Sequence, residues 1–455
     1  MRGQSGRVPL GRRDALEPCS SAPVEDGGGD MKERLKISIA IATMVPLMVA
    51  PASGQDSTAA ETPLATLVKE ALDRNPEIQA IGQRVAAKRA RVPQAGALPD
   101  PMAMYGVMNE GKPIPFQTLG KADFSEVYLG VSQDLPFPGK RRLRERVARE
   151  DVSVEEIGLQ AVRRRIASDV AQAFYELYAV QAASAVVEQH QSLLEELTKV
   201  ASTRFSVGEG TQHDVLNAQV ELSQVLERAS LLVQRRETQG ALLAALVAQP
   251  QLIVPESHAV LSVTPVPGLD DVLSRALETS PTVLQKAAAV RQAEQRVALA
   301  RRERLPDLGF NVTYHNRGGL DPYYSYGGTV TLPIYAGRKQ AKAVDEAAAE
   351  LQAAQRDEEA ARNQVRYEVT EAYRMAEIAD RLVRLYRDGI LKQARLALDS
   401  AVAQYRVGKV DFLTLVSSWR RLLDSEITYQ EQLAAHEKAV ARIAMHVDGL
   451  VPYQP

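Results

Sequence analysis

The chain has 455 residues, a formal net charge of −2, 45% hydrophobic residues and only 5% aromatic residues. Bulk charge therefore does not draw it to nucleic acid, and its apolar content is sufficient for a large core. Few aromatic residues together with abundant alanine, leucine, glutamine, glutamate and arginine are typical of long helices rather than of β-sandwiches.

The beginning of the sequence resembles an upstream extension followed by an export signal. Residues 1–30 are rich in glycine, proline and charge. From Met31 a basic segment precedes the apolar run 37–50 and the small residues 52–54, so we predict translation from Met31 and a signal peptide at 31–54. A membrane anchor, the alternative, needs a longer apolar run.

Cysteine usage and hydropathy limit the compartment of the exported chain. The one cysteine, Cys19, precedes Met31, so we expect no disulfide and no lipid-bearing cysteine. No later segment approaches 18 consecutive apolar residues, and no transmembrane helix is predicted. Export of a large, helix-rich chain without cysteine indicates the bacterial periplasm or outer membrane.

The rest of the sequence is a tandem duplication. Segments that begin at Leu67, Ala97 and Val131 are matched by segments that begin at Val272, Arg304 and Val330, and "FSVG" is matched by "YRVG". The offsets stay near 200 residues, which is far longer than a solenoid repeat. We predict a first repeat at 55–250, a linker at 251–268 and a second repeat at 269–455.

Each repeat has the same predicted order of elements. A helix interrupted at Asn75-Pro76 or Ser280-Pro281 precedes two short strands, because proline disfavours helix in the preceding residue. A long helix then leads to the Val-Gly corner, and another returns from it. Helices over 141–202 and 336–404 would be about 90 and about 100 Å long.

Apolar periodicity predicts how these elements pack. A seam spaced by 4 and 3 residues runs from Ile166 through Val170, Ala173, Leu177, Val180 and Ser184 to Val187. After the corner, the same spacing predicts a seam at Val215, Gln219, Leu222, Leu226, Ala229 and Val233. The strands alternate, for example Phe310, Val312 and Tyr314 against Asn311 and Thr313, as in a membrane barrel or an ordinary half-buried sheet.

Four strands are too few to close a barrel within one chain. Unpaired backbone groups cost several kcal/mol each in lipid, and bacterial barrels start at about eight strands. Two chains would give eight strands, too tight to conduct, and three chains would give twelve.

The duplicated plan, the junctions "LPFPGKRR" and "LPIYAGRK" and the paired Val-Gly corners resemble the TolC-type outer-membrane efflux family. The wording "QDLPFPGKRR" resembles its heavy-metal efflux branch. The resemblance implies a mainly α fold with a membrane β-barrel: a homotrimer with a twelve-stranded barrel in the outer membrane and a helical tunnel across the periplasm. It implies an exit duct for heavy-metal cations or small toxic compounds, served by a periplasmic adaptor and an inner-membrane RND-type pump. The duct would need no cofactor and would not be an enzyme.

The resemblance also assigns roles to particular residues. The corners would contact the adaptor through Arg204, Val207, Gly208, Glu209, Arg406, Val407, Gly408 and Lys409. Asp399 would form an acidic gate ring around the threefold axis, the alternative being an ordinary solvated helix residue, with Asp388 further from the corner as its comparison. Asp214 and Asp411 are predicted as acids in the first turn of the returning helices.

Other motifs receive less specific interpretations. The six histidines form no metal-ligand pair, and Met102, Met104 and Met108 share one strand face that could contact copper but more often fills space. The basic run 139–150 is predicted to be a solvated helix face, because its acids are interleaved. The rival to the channel hypothesis is a soluble periplasmic coiled-coil scaffold with a small sheet.

Overall fold

The computed structural model describes residues 63–111, 113–252 and 261–451. The predicted upstream extension and signal peptide lie outside these residues, as does the middle of the predicted linker. None of the described helices is long and apolar enough to cross a membrane.

The described chain repeats one order of elements. The first set comprises α1 (Pro63–Arg74), α2 (Pro76–Gly96), β1 (Met102–Met108), β2 (Glu126–Leu135), α3 (Lys140–Ser206) and α4 (Gln212–Val247). The second set comprises α5 (Leu269–Thr279), α6 (Pro281–Arg302), β3 (Asp307–Arg317), β4 (Leu320–Thr331), α7 (Gln340–Leu385), a π-helical turn (Tyr386–Ile390), α8 (Leu391–Arg406) and α9 (Phe412–Ala444).

The two prolines divide the first helix of each set, as predicted. Asn75 caps α2, because its side chain accepts the Glu77 N–H at 2.9 Å, and its amide donates to the Leu246 carbonyl at 2.9 Å. Ser280 stands at the matching place, and its buried hydroxyl lies 3.2 Å from Nδ1 of His446. Each joint therefore ties its helix pair to the far end of the same repeat.

The long helices are as extensive as the sequence predicts, with one interruption. Helix α3 has 67 residues and spans about 100 Å at the α-helical rise. The matching helix of the second repeat begins at Gln340 rather than near Ala336, and its α-helical hydrogen bonding is broken by the π turn at Tyr386–Ile390. The prediction of one unbroken α-helix over 336–404 is therefore wrong at both places.

The predicted α3 seam is confirmed, but the α4 seam is displaced. All seven predicted α3 positions are buried except Ser184, which is half-buried. In α4, Gln219, Leu226 and Val233 are exposed, and over the length of the predicted seam the buried residues are Ala218, Val225 and Leu232. The half-buried Val215, Leu222 and Ala229 fit a spacing of 3 and 4 residues equally well with the exposed set and with the buried set. Because Ala218 is small, it gives little apolar signal to decide between the two sets.

The four strands form one antiparallel sheet in the order β1-β2-β3-β4. Central pairs include Leu135 with Leu308 and Gly130 with Thr313. Among the described residues, β1 and β4 each have strand pairing on one side only. The helices next to the sheet follow the same sequence, since α2 packs on α3, α3 on α6, and α6 on α7.

The alternation of the strands is the reverse of that in a sheet packed on a core. The apolar side chains of Leu129, Val131 and Phe310 are exposed, whereas Thr313 on the other face is buried. The side that an ordinary half-buried sheet would cover is thus uncovered in the single chain.

The sequence predicts that the basic run after β2 is a solvated helix face, but the first side chains of this run contact other parts of the chain. Lys140 is only 3% exposed, and its ammonium lies 2.8 Å from Asp307 Oδ1 and 2.8 Å from the Leu305 carbonyl. Arg141 donates two hydrogen bonds to the Gly96 carbonyl. Lys140 thus braces the start of α3 against the second repeat, and Arg141 braces it against the end of α2, so the prediction is wrong for this end of the run.

Candidate functional site at the helical corners

The two Val-Gly corners end their helices in the same way. In the first, the Gly208 N–H donates to Phe205 O and the Glu209 N–H donates to Arg204 O. In the second, the Gly408 N–H donates to Tyr405 O and the Lys409 N–H donates to Gln404 O. This is the Schellman pattern, which needs a left-handed residue just after the helix, and the two glycines have φ of +79° and +72°.

The two helices that return from the corners have different N-cap residues. Thr211 caps α4 and forms a capping box with Asp214, each side chain meeting the other residue's backbone N–H. In α9 the cap is Asp411 itself, which accepts the Thr414 N–H at 2.9 Å. Asp214 lies in the first turn of α4, as predicted. Asp411 is the residue before the first turn of α9, so the prediction of a first-turn acid is wrong for Asp411.

The cap also perturbs the Asp411 carboxyl. Hydrogen bonds from Thr414, from its side chain first and then from its backbone, hold the pKa of Asp411 below its usual range. The charged form of Asp411 is therefore the form that the second corner uses.

Arg204 joins the first corner to the second. Its Nη1 donates to the Tyr405 carbonyl, its Nη2 donates to the Glu209 carbonyl at 3.2 Å, and its guanidinium lies 4.9 Å from the centre of the Tyr405 ring. Arg406 is exposed and its side chain has no hydrogen bond or ion pair among the described residues. The two arginines, which look equivalent in the sequence, therefore differ: one holds the corners together and the other faces solvent.

The corners expose an apolar surface, of which the sequence predicts only a part. Val207 and Val407 are both exposed, as are the neighbouring Glu209 and Lys409. The structure adds two apolar side chains that were not predicted, Phe205 and Leu413, of which 48% and 66% is exposed. The sequence contains a signal for the exposure of Phe205. This residue matches the buried Tyr405, but the hairpin in which it lies offers fewer apolar neighbours to cover it.

The predicted gate residue is exposed on α8. Asp399 belongs to the solvent-facing side of the helix, opposite the buried Leu398 and Ala401. The position that matches it in the first repeat is Lys199, which is also exposed. The two hairpins thus present opposite charges at matching distances from their corners.

A polar cluster around the buried His190 holds the same helices together. One turn before Asp399, Arg395 lies 2.7 Å from Glu426 of α9, and the other oxygen of Glu426 lies 2.8 Å from Nε2 of the buried His190 of α3. Burial alone would raise the pKa of Glu426, but hydrogen bonds and charge from His190 and Arg395 hold this pKa below its usual range. The cluster fixes the backbone from which Asp399 projects.

Asp388 is a poor comparison for Asp399. It lies within the π turn and forms an ion pair with Arg387 at 3.1 Å. Its replacement would release an arginine as well as remove a carboxylate.

No catalytic or metal-binding arrangement accompanies the corners. Within the three described ranges, no group of three or more His, Cys, Asp or Glu side chains could hold a metal ion. Met102 and Met108 are exposed on β1 and Met104 is half-buried. Ser280, His446 and Glu368 lie in a row, but the Ser280 hydroxyl is fully buried at a helix joint.

Comparison with known proteins identifies the class. The family model "outer membrane efflux protein" matches residues 67–249 and 272–444. The chain is 26% identical over 315 residues to the outer membrane efflux protein BepC of Brucella suis, covering 65% of this chain and 67% of BepC. It is 24% identical to the pyoverdine export outer membrane protein OpmQ of Pseudomonas aeruginosa, covering 70% and 67% of the two chains.

A solved structure shares the fold. The outer membrane protein VceC of Vibrio cholerae superposes with a TM-score of 0.70 at 19% identity, over 84% of this chain and 96% of VceC. The fold class predicted from the sequence, long helices with four strands per chain in the TolC-type arrangement, is confirmed. The chain belongs to the outer membrane efflux protein family.

Proposed function

We propose that three copies of the chain form the exit duct of a tripartite efflux pump, which conducts substrate passively from the periplasm to the exterior. The observation that carries this proposal is the sheet: four strands, apolar on the uncovered face, with pairing available on both outer edges. In lipid those edges must pair, because each unsatisfied backbone group costs several kcal/mol. Three copies close a twelve-stranded barrel wide enough to conduct.

Family membership and location agree with this proposal. Proteins of the family are outer-membrane efflux channels and not enzymes. Nothing in the fold or in the relatives favours the soluble scaffold.

The corners are proposed as the adaptor-contacting tips. A rigid pair of Schellman turns, tied by Arg204, presents Val207 and Val407 to solvent. Glu209 and Lys409 beside them offer one charge of each sign, and Gly208, Gly408 and Arg406 complete the surface. An exposed apolar patch rimmed by charge is typical of a protein-binding surface. The partner is a periplasmic adaptor, which connects the duct to an inner-membrane RND-type pump.

The cargo is proposed to be heavy-metal cations or small toxic compounds. The junction "QDLPFPGKRR" and the exposed Met102 and Met108 support the metal class. The relative OpmQ is named for pyoverdine export, which supports the second class. Deletion of the gene followed by growth in copper, zinc and a panel of organic toxins separates the two classes.

Asp399 is proposed as the gate, where three carboxylates around a threefold axis would favour cations. Replacing Asp399 with alanine should reduce cation preference and divalent-ion block in single-channel recordings while the barrel stays intact. Lys199→Ala is the matched control, because the residue lies at the corresponding level with the opposite charge. If Lys199 also lines the tunnel, its loss increases cation preference. Unchanged selectivity in Asp399→Ala would place the gate elsewhere.

The whole proposal is tested by membrane fractionation. We expect the protein in the outer-membrane fraction as a trimer whose migration in gels changes on heating. Recovery entirely in the soluble periplasmic fraction would contradict the channel function.

A further inference from the structure

The junction between β2 and α3 is closed by an ion pair that reaches across to β3. Lys140, the first residue of α3, is buried and lies 2.8 Å from Asp307, the first residue of β3. Asp307 also accepts the Phe137 N–H at 2.7 Å. A side chain at the start of the helix that follows β2 thus fixes the start of β3, the next strand in the sheet.

The corresponding junction of the second repeat is open. It follows β4 and contains the exposed apolar side chains of Leu332, Ile334 and Tyr335, the last two 76% and 68% exposed. The basic side chains of Arg338 and Lys339, which match the start of α3, are also exposed and form no ion pair within the described part of the chain. By contrast, Phe137 of the first junction is half-buried under Arg302, at 5.1 Å.

The acid that could close this second junction stands at the opposite edge of the same chain. Asp100 occupies the motif Leu98-Pro99-Asp100 just before β1, as Asp307 occupies Leu305-Pro306-Asp307 at the start of β3. Asp100 is exposed and, among the described residues, has no ion-pair partner. One edge of the chain therefore carries an unmatched acid, and the other carries two unmatched bases and an uncovered apolar loop.

The order of elements brings these two edges together only between copies. The strands run β1 to β4 and the adjacent helices run α2, α3, α6, α7, so β1 with α2 and β4 with α7 are the two ends of one series. A second copy that continues the series places its β1 beside β4 of the first. Asp100 of that copy then lies at the junction after β4, as Asp307 lies at the junction after β2.

We propose that Asp100 of one copy closes the β4–α7 junction of its neighbour by pairing with Arg338 or Lys339, as Asp307 pairs with Lys140 within the chain. The inference rests on the proposed oligomer and adds to it the ion pair that fixes the register between copies. Leu332, Ile334 and Tyr335 are then covered by the neighbouring copy rather than by lipid or water.

The two junctions differ in ways that determine the test. The second has one extra residue between its Leu-Pro and its glycine, and Gly337 does not have the left-handed φ of +97° found at Gly139. Either Arg338 or Lys339 can therefore occupy the place of Lys140. Arg302 corresponds to Ala95, so no arginine stacks over Tyr335 in the same way.

Cross-linking between copies tests the proximity directly, since residues 31–455 contain no cysteine. Full-length protein in outer membranes carrying Asp100→Cys with either Arg338→Cys or Lys339→Cys is treated with a short bismaleimide. We expect covalent dimers and trimers on denaturing gels with at least one pair, and none with any single variant. Lys140→Cys with Asp307→Cys is the internal control, which should react within one chain and give no larger band.

Charge exchange tests whether the contact is an ion pair. Asp100→Lys should lower the temperature at which the trimer dissociates in gels, and adding Arg338→Glu and Lys339→Glu should restore it. The rival is binding of anionic lipid headgroups by the two bases. In that case Arg338→Glu with Lys339→Glu destabilises the protein and Asp100→Lys gives no rescue, which would overturn the proposal.

The outcomes separate this inference from the function on which it rests. Wild-type protein that forms no trimer contradicts the proposed channel itself. A stable wild-type trimer that yields no cross-link with either pair, while the internal control reacts, contradicts the ion pair alone.

Discussion

The two helical corners have the same backbone and different surroundings. Both end in a Schellman turn around a left-handed glycine, 200 residues apart. Phe205 of the first corner is exposed, whereas its counterpart Tyr405 is buried and packs edge-on against Phe412 at 5.6 Å. Duplication has thus preserved the turn, while the contacts that hold it have diverged.

The difference continues into the returning helices. Helix α9 buries large side chains immediately after its corner, among them Phe412, Leu415 and Trp419. Helix α4 buries only Ala218, Val225 and Leu232 along the corresponding length. The second hairpin therefore buries the larger side chains next to its corner, and Arg204 joins the first corner to it.

Substitution of the corner glycines should show the largest difference. A residue with a Cβ in the left-handed region loses about 1–2 kcal/mol, and a β-branched residue is worse. Gly408→Val also brings a Cβ to 3.1 Å from Arg204 Nη2, whereas nothing lies within 4 Å at Gly208. We expect both variants to lower the midpoint of thermal unfolding, Gly408→Val by more, and the double variant to lose export while trimers remain. Equal midpoints would show that Arg204 does not depend on Gly408.

Removal of the Arg204 side chain should release the first corner alone. Two hydrogen bonds to carbonyls and the stack on Tyr405 are lost, for which about 1–2 kcal/mol is expected at this partly exposed site. Hydrogen exchange should then accelerate at the amides of Glu209 and Gly210, while those of Gly408 and Lys409 stay protected. Arg406→Ala is the matched control and should change neither set.

Lowering the pH should distinguish the N-caps of the two returning helices, and this is the smallest of the expected effects. The pKa of Asp411 is lowered in the folded chain, so its stabilisation is present above the usual carboxyl pKa of about 4 and is lost as the pH falls through the lower folded value. At the first corner the N-cap oxygen that accepts the Asp214 N–H is the Thr211 hydroxyl, which does not titrate in this range. Protection factors at the start of α9 should therefore fall as the pH drops below the usual carboxyl pKa of about 4, and Asp411→Asn should remove this dependence. Retained protection in the wild type at that pH would show that Asp411 does not act through its charge.

The sequence predicted what depends on local pattern. Corner glycines, proline joints and the long α3 follow from turn chemistry and helical periodicity, and all are present in the structure. Asp411 at the start of α9 is a recognisable N-cap residue, since its side chain accepts the Thr414 N–H, so its cap role follows from the sequence although the prediction of a first-turn acid missed it. Arg204 and Lys140 could not be predicted as braces, because each partner lies more than 150 residues away and a charged side chain near a helix end is normally solvated. The adaptor-contact and gate roles stay predictions, since they depend on partners and on copies of the chain.

The π turn has a consequence for the phase of the second long helix. Before the π turn, the buried residues of α7 are spaced by 4 and 3 residues through Ala372, Ala376, Ala379 and Val383. If this spacing continued unchanged, the buried positions of α8 would be 393, 397, 400 and 404. The buried residues of α8 each lie one position later, at Ala394, Leu398, Ala401 and Tyr405. The wider turn absorbs one residue, as a single π-bulge does. The helix thus consists of two α-helical segments joined by the π turn Tyr386–Ile390. Their buried positions differ by one residue in phase along the sequence, and each segment keeps its buried face toward its own neighbours.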